Sequence, residues 1–183
     1  MHRFKRSYTT SISLVYDGAT SHTTGAFVFA LSDMPNYTEF TGLFDKYKIT
    51  GIKAVFLPRI TNVNHSDVTS TFTEVPPIYT AIDYDDATIP GSVTDLEQYN
   101  TFKVHWEVKP FSLYFKPQIA IAAYSGTFTS YASANNLWID AASPGVQYYG
   151  LKWASGPYST ANNGNAPSWD VTFTYYISCK YSR

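Results

Sequence analysis

Short strand-like runs of apolar residues recur along the chain, and two of them alternate apolar and polar positions with a period of two. "TSISLVYDG" and "GAFVFALSD" are short runs of β-branched and aromatic residues bounded by Gly, Ser and Asp, which predicts two strands. At Asn36 the period changes. Tyr37, Phe40, Leu43, Phe44 and Tyr47 follow the spacing of one helix face, Asn36 is placed to cap that helix, and Glu39 completes a capping box. Gly51 interrupts the pattern, and "IKAVFLP" is apolar on both faces, as an interior strand is, until Pro58 ends it.

Residues 59 to 74 are polar and aperiodic, which predicts a long exposed loop, and a strand is expected around Ile78 to Tyr84. Further on, "TFKVHWEVKP" alternates again. Phe102, Val104, Trp106 and Val108 fall on the side expected to be buried, and Lys103, His105, Glu107 and Lys109 on the wet side. "SLYFKPQIAIAAYSG" reads as loop-like at first and extended later; a strand is expected around Val146 to Trp153, and residues 156 to 168 are rich in turn formers. The last run places Val171, Phe173, Tyr175, Ile177, Cys179 and Tyr181 on one face of a long core strand. About eight strands, long polar loops and one helix fit an all-β, two-sheet antiparallel sandwich. The pattern leaves jelly-roll, immunoglobulin-like and lectin-like versions open.

Composition sharpens this. The 183 residues suit one domain, and aromatics make up 17% against 15% charged residues, a bias toward side chains that pack on pleated surfaces and form interfaces. The net charge of −1 hides an asymmetry: Arg3, Lys5 and Arg6 lie in "MHRFKR" with no acid before Asp17, whereas Asp83, Asp85 and Asp86 cluster in "DYDD". Such asymmetry points to a polyanionic partner. Cys179 is the single cysteine, so no intramolecular disulfide forms, and its place on an apolar face predicts a buried structural thiol. No window approaches the length of a membrane span, and no membrane partner is expected.

Candidate chemistry is sparse. Asp83, Asp85 and Asp86 are weak candidates for a divalent cation, because the glycine-punctuated calcium-loop pattern is missing; a solvated strand end is the expected reading and no metal is assigned. His2, His22, His65 and His105 stand apart in sequence, so no histidine metal cluster is expected, and His105 reads as a solvated or interface residue. No nucleophile elbow or phosphate-binding glycine loop occurs. The reading is a protein without cofactor or enzymatic activity.

The stretch "LSDMPNYTEFTGLFDKYKITGIKAVFLPR" resembles the capsid proteins of circular, Rep-encoding single-stranded DNA viruses, the circovirus-like group. The matching positions are Pro35, Asn36, Tyr37, Glu39, Phe40, Leu43, Phe44, Asp45, Tyr47, Ile49 and Pro58. "IDYDDA", "LWIDAASPGVQYYGLKWA" and "VTFTYYISCKY" look similar too, so the resemblance runs from about Leu31 onward. It implies a single eight-stranded jelly roll over residues 11–183, with one short helix in an inter-strand connection. A basic tip over residues 1–10 precedes it. It further implies a homo-oligomeric icosahedral shell, about 60 copies when closed by symmetry, around a circular single-stranded DNA genome. The expected setting is the virion, assembled in the host cell with the nucleus as one candidate compartment; the host-cell receptor is unknown.

Family members usually begin with an arginine-rich arm, whereas "HRFKR" offers three cations and six residues reach at most about 20 Å. A remnant of a truncated arm is therefore expected, with Arg3, Lys5 and Arg6 contacting DNA and with assembly that encloses little or no nucleic acid; particles full of DNA would instead imply an interior basic surface that includes Arg59, Lys103 or Lys109. The expected subunit-interface residues are Tyr37, Phe40, Phe44, Tyr47, Trp138 and Trp153. The rival reading is a soluble β-sandwich module that binds carbohydrate or another ligand on exposed Trp and Tyr rings.

Overall fold

A computed structural model describes residues 1–14, 22–59, 76–106, 109–125, 129–134, 136–156 and 168–182. In chain order the strands are β1 (His2–Ser13), β2 (Thr23–Phe29), β3 (Phe44–Pro58), β4 (Ile78–Ile82), β5 (Lys103–His105), β6 (Phe111–Phe115), β7 (Ile119–Ser125), β8 (Thr129–Ala134), β9 (Ile139–Asp140), β10 (Tyr148–Ser155) and β11 (Ser168–Ser182). Helix α1 (Tyr37–Leu43) joins β2 to β3, and the single-turn helix α2 (Val93–Glu97) joins β4 to β5.

One sheet runs β1-β11-β3-β6, with β9 also pairing β3, and the other runs β2-β10-β4-β5. The paired neighbours are antiparallel, and the chain keeps crossing between the sheets, which is the jelly-roll arrangement. β7 and β8 form a separate hairpin. The core is aromatic because both inner faces carry rings: Phe27 and Phe29 of the second sheet lie 4.8 and 5.2 Å from Phe173 of the first, and Phe29 lies 5.6 Å from Phe115. Val171, Phe173, Tyr175, Ile177 and Cys179 are each no more than 1% exposed, as the alternation of that run predicts, whereas Tyr181, expected on the same face, takes a left-handed φ of 58° and is 60% exposed. Burying each large apolar side chain of this kind contributes roughly 1.5–3 kcal/mol.

Several expectations change. The predicted helix stops at Leu43, and Phe44 and Tyr47 belong to β3, because pairing along nearly the whole of β11 outweighs a local helical spacing that a strand also satisfies from Tyr47 onward. Asn36 sits at the N-cap with φ 58°, and its side chain makes no capping bond. The "KVH" strand is three residues long and departs from the expected faces at its end: His105 stacks on Phe111 at 3.6 Å and Trp106 is 70% exposed, while Lys103 is exposed as expected. Alternation marks two faces and does not say which is inside; here a flat imidazole with Thr80 Oγ1 3.1 Å from its Nε2 takes the inner position, and burial with Lys103 nearby lowers its pKa. "FSLYF", read as loop-like, is β6. β1 runs across the expected boundary between residues 10 and 11. The long loop expected over 59 to 74 and the linker over 156 to 168 lie almost wholly outside the described residues.

Candidate nucleic-acid face

Strand pairing sets the site. Residues opposite each other on neighbouring strands share a face, and β11 turns Asp170, Thr172, Thr174, Tyr176, Ser178 and Lys180 away from the core. Opposite them on β1 stand Arg3 (facing Ser178), Lys5 (Tyr176) and Ser7 (Thr174). On β3 stand Lys46 (Lys180), Lys48 (Ser178) and Lys53 (Thr174), and β6 adds Tyr114 opposite Lys53, with Lys116 two residues further along the chain. Arg3, Lys48, Lys116, Tyr114 and Tyr176 line one shallow hollow of about 540 Å³.

The outer face of this sheet thus gathers Arg3, Lys5, Lys46, Lys48, Lys53, Lys116 and Lys180, seven of the 13 Lys and Arg of the chain. Carboxylates are scarce on it. Asp170 pairs with Arg59 at 3.3 Å, and Asp140 of β9 stands opposite Lys46. Lys46 and Lys180 oppose each other directly, a like-charge cross-strand pair that costs stability. A fold gains nothing from that arrangement; a polyanion does, since each phosphate-neutralising Lys or Arg releases condensed counterions.

Two aromatic features lie among these cations. Tyr114 is 60% exposed and meets Tyr176 edge to face at 5.8 Å. Its ring lies across Gly51, where an added Cβ would come within 2.8 Å of the ring carbon bearing the hydroxyl, so this close approach requires glycine. Trp138 is half-buried, with the ammonium of Lys48 4.7 Å and that of Lys180 4.4 Å from its ring centroid.

The sequence-derived residues separate. Arg3 and Lys5 lie on the basic face. Arg6 points to the other side of β1, where its guanidinium is 3.7 Å from Glu39 and 5.7 Å from the Phe40 ring. Phe40, Phe44, Tyr47 and Trp153, expected at subunit interfaces, are between 1% and 6% exposed and belong to the subunit's own core, which leaves them no area to offer a neighbour. Tyr37 is half-buried. Arg59 flanks the face through its pair with Asp170, whereas Lys103 lies on the other sheet.

The acidic cluster resolves into an internal ion pair. The Lys152 ammonium lies 2.6 Å from Asp83 and 2.8 Å from Asp86, and Tyr99 donates to Asp83 at 2.6 Å. Burial pushes the Asp83 carboxyl up, but the hydrogen bonds from Lys152 and Tyr99 outweigh it and hold the group below the ordinary carboxylate range. For Lys152, burial lowers the pKa and the bonds to Asp83 and Asp86 more than reverse it. Asp85 stands outside this pair, with its carboxyl raised by the Asp83 charge. Among the described residues no group of His, Cys, Asp and Glu is arranged to hold a metal. Cys179 is buried and its thiol is pushed up to about 11, which makes it a structural residue.

Solved structures share this two-sheet jelly-roll fold. The BFDV capsid protein solved as a 60-mer superposes with a TM-score of 0.71 at 17% identity, over 96% of this chain and 91% of that one. The decameric BFDV capsid protein gives 0.63 at 16% identity, over 98% and 99%. The Cucumber Necrosis Virus structure gives 0.56 at 14% identity, over 99% of this chain and 57% of that one. Residues 1–183 match the circovirus capsid protein family, and the chain belongs to it. No curated protein sequence matches. The protein is a viral capsid protein, and membership of this family decides against the rival reading of a soluble carbohydrate-binding module.

Proposed function

We propose that the chain closes with copies of itself into an icosahedral shell around circular single-stranded DNA, the outer face of the β1-β11-β3-β6 sheet being the surface that meets the DNA. The observation that carries this reading is the concentration of cations there, with Lys46 and Lys180 held opposite each other against their own repulsion. Exposed Tyr114 beside Tyr176 adds a ring on which an unstacked base can lie. The BFDV protein, solved both as a 60-mer and as a decamer, supports closed assembly and about 60 copies as the shell size. The setting of such a particle is the virion, with assembly in the host cell.

Two measurements test the reading. Electron microscopy of the purified chain yields closed particles of uniform diameter, and a protein that stays monomeric at every salt and concentration contradicts assembly. Binding to a thymidine oligonucleotide, followed by anisotropy across a salt series, weakens steeply with salt. Replacing Lys48, Lys53 and Lys116 with Gln lowers the slope by about 0.7 per cation that contacts a phosphate; an unchanged slope removes the face from the DNA contact.

A further inference from the structure

Cations crowded on one face repel one another and swing on long, flexible stems. At one end of this face two of them are held still without being neutralised. The Lys48 and Lys180 ammonium groups both lie over the indole of Trp138, 4.7 and 4.4 Å from its centroid, and Lys48 also donates to Asn136 Oδ1. Neither is paired with a carboxylate among the described residues. Lys46 is their neighbour through its position opposite Lys180.

The fold goes to some length to put the indole there. Asn136 takes a left-handed φ of 64°, and three residues after it the chain enters β9, which pairs Ile139 with Tyr47 and Asp140 with Lys46. This short strand ties the Trp138 segment down against β3, and Ile139 packs on the main core. A carboxylate in the same place would fix the lysines more strongly and cancel their charge. An indole face attracts a cation and leaves its charge and its N–H donors available to a third group.

We propose that Trp138 is a positioning residue that holds Lys48 and Lys180 as a preformed notch for a backbone phosphate of the nucleic acid. This rests on the reading of the sheet face as the DNA-contacting surface. Pre-ordering two rotamer-rich side chains removes part of the entropy that binding otherwise costs, so the indole raises affinity without touching DNA itself.

The test is a mutant cycle on the full chain, with affinity for a thymidine oligonucleotide read by anisotropy and folding checked by thermal melting. Trp138→Leu weakens binding roughly three- to tenfold, about the factor that ordering two lysines over an indole supplies. The salt slope stays unchanged, because every cation is still present. Trp138→Phe, which keeps a ring and the packing, recovers most of the loss. In a Lys48→Gln/Lys180→Gln background the Trp138→Leu change has no further effect.

Equal loss from Trp138→Leu in both backgrounds overturns the proposal, since the ring would then act on its own, by stacking or by folding. No loss in either background overturns it too. The face reading fails separately: there the native chain binds no oligonucleotide, or Lys48→Gln/Lys180→Gln leaves affinity and slope intact.

Discussion

Lys152 and Lys48 both point away from the main core, one on each sheet, and their surroundings are opposite. Lys152 has a side chain only 6% exposed and is enclosed by Asp83, Asp86 and Tyr99. Lys48 has an indole, an amide oxygen and other cations around it. A buried charge with compensating partners is part of the fold, because removing one partner strands the other in low dielectric. A half-exposed charge held by an indole and an amide contributes little to the fold and keeps its charge for a group that comes from outside. The contrast sorts the chain's cations by role, and each experiment below tries to break it.

The largest effect belongs to the enclosed lysine. Lys152→Met leaves Asp83 buried and unpaired and is expected to destabilise the subunit by about 3–5 kcal/mol in urea unfolding. Changing Asp83 to Asn in that background returns a good part of the loss, since the stranded charge goes with it. Oligonucleotide affinity of the still-folded fraction stays where it was. A loss below about 1 kcal/mol would mean that water reaches the pair and that its enclosure has been misjudged.

The same pair fixes how stability follows pH. Asp83 and Asp86 have folded pKa values below their unfolded ones, so their contribution is complete above about pH 4 and disappears as pH falls through the folded values. Lys152, raised in the folded state, contributes fully below about pH 10 and loses its contribution as pH rises through the folded value. Asp85, raised by the Asp83 charge, works weakly in the opposite sense on the acid side. Urea midpoints measured against pH should therefore form a plateau between about pH 5 and 9 with an acid shoulder below it. In Lys152→Met the acid trend reverses, because protonating the stranded Asp83 now relieves the fold. A shoulder unchanged in the variant would assign it to other carboxylates.

On the sheet face the expectation is the converse. Lys46→Gln with Lys180→Gln removes a like-charge cross-strand pair, so stability stays within about 1 kcal/mol of the native chain or rises slightly. The salt slope of oligonucleotide binding falls by about 0.7 for each of the two lysines that meets a phosphate. Marked destabilisation with an unchanged slope would make these lysines structural and dissolve the contrast with Lys152.

Much of the sandwich was legible in the sequence because alternation is a local property of a half-buried strand: the β11 run needed only its own residues to declare its inner face. The basic face was not legible, for a reason that can be located. Reading a helix through Tyr47 puts Lys46 and Lys48 about 200° apart around the axis. Reading a strand from Phe44 puts them on one side, two residues apart. The signal was present in "DKYKIT", where cations alternate with Tyr47 and Ile49, and it was hidden by the helical spacing just before it. Lys180 joins them only through the pairing of β3 with β11, a long-range contact that no local window contains. The Lys152 pair was missed for the same reason, since Asp83 and Lys152 meet only when β4 and β10 pair.

The smallest effect makes the finest distinction, between Lys5 and Arg6. They are adjacent in "MHRFKR" and equivalent by composition, but β1 turns successive side chains to opposite faces, so Lys5 stands beside Tyr176 on the basic face and Arg6 reaches Glu39 and Phe40 on the other. Arg6→Ala should leave oligonucleotide affinity and its salt slope unchanged, and cost well under 1 kcal/mol of stability, because both members of its ion pair are more than half exposed. Lys5→Ala should lower the slope by about 0.7 and leave stability alone. Equal slope losses for the two would mean that this end of the chain leaves its strand when DNA binds and acts as a flexible basic tip. Unequal losses in the stated order would mean that the strand persists in the complex and that the register of β1 against β11 decides which cations the nucleic acid meets.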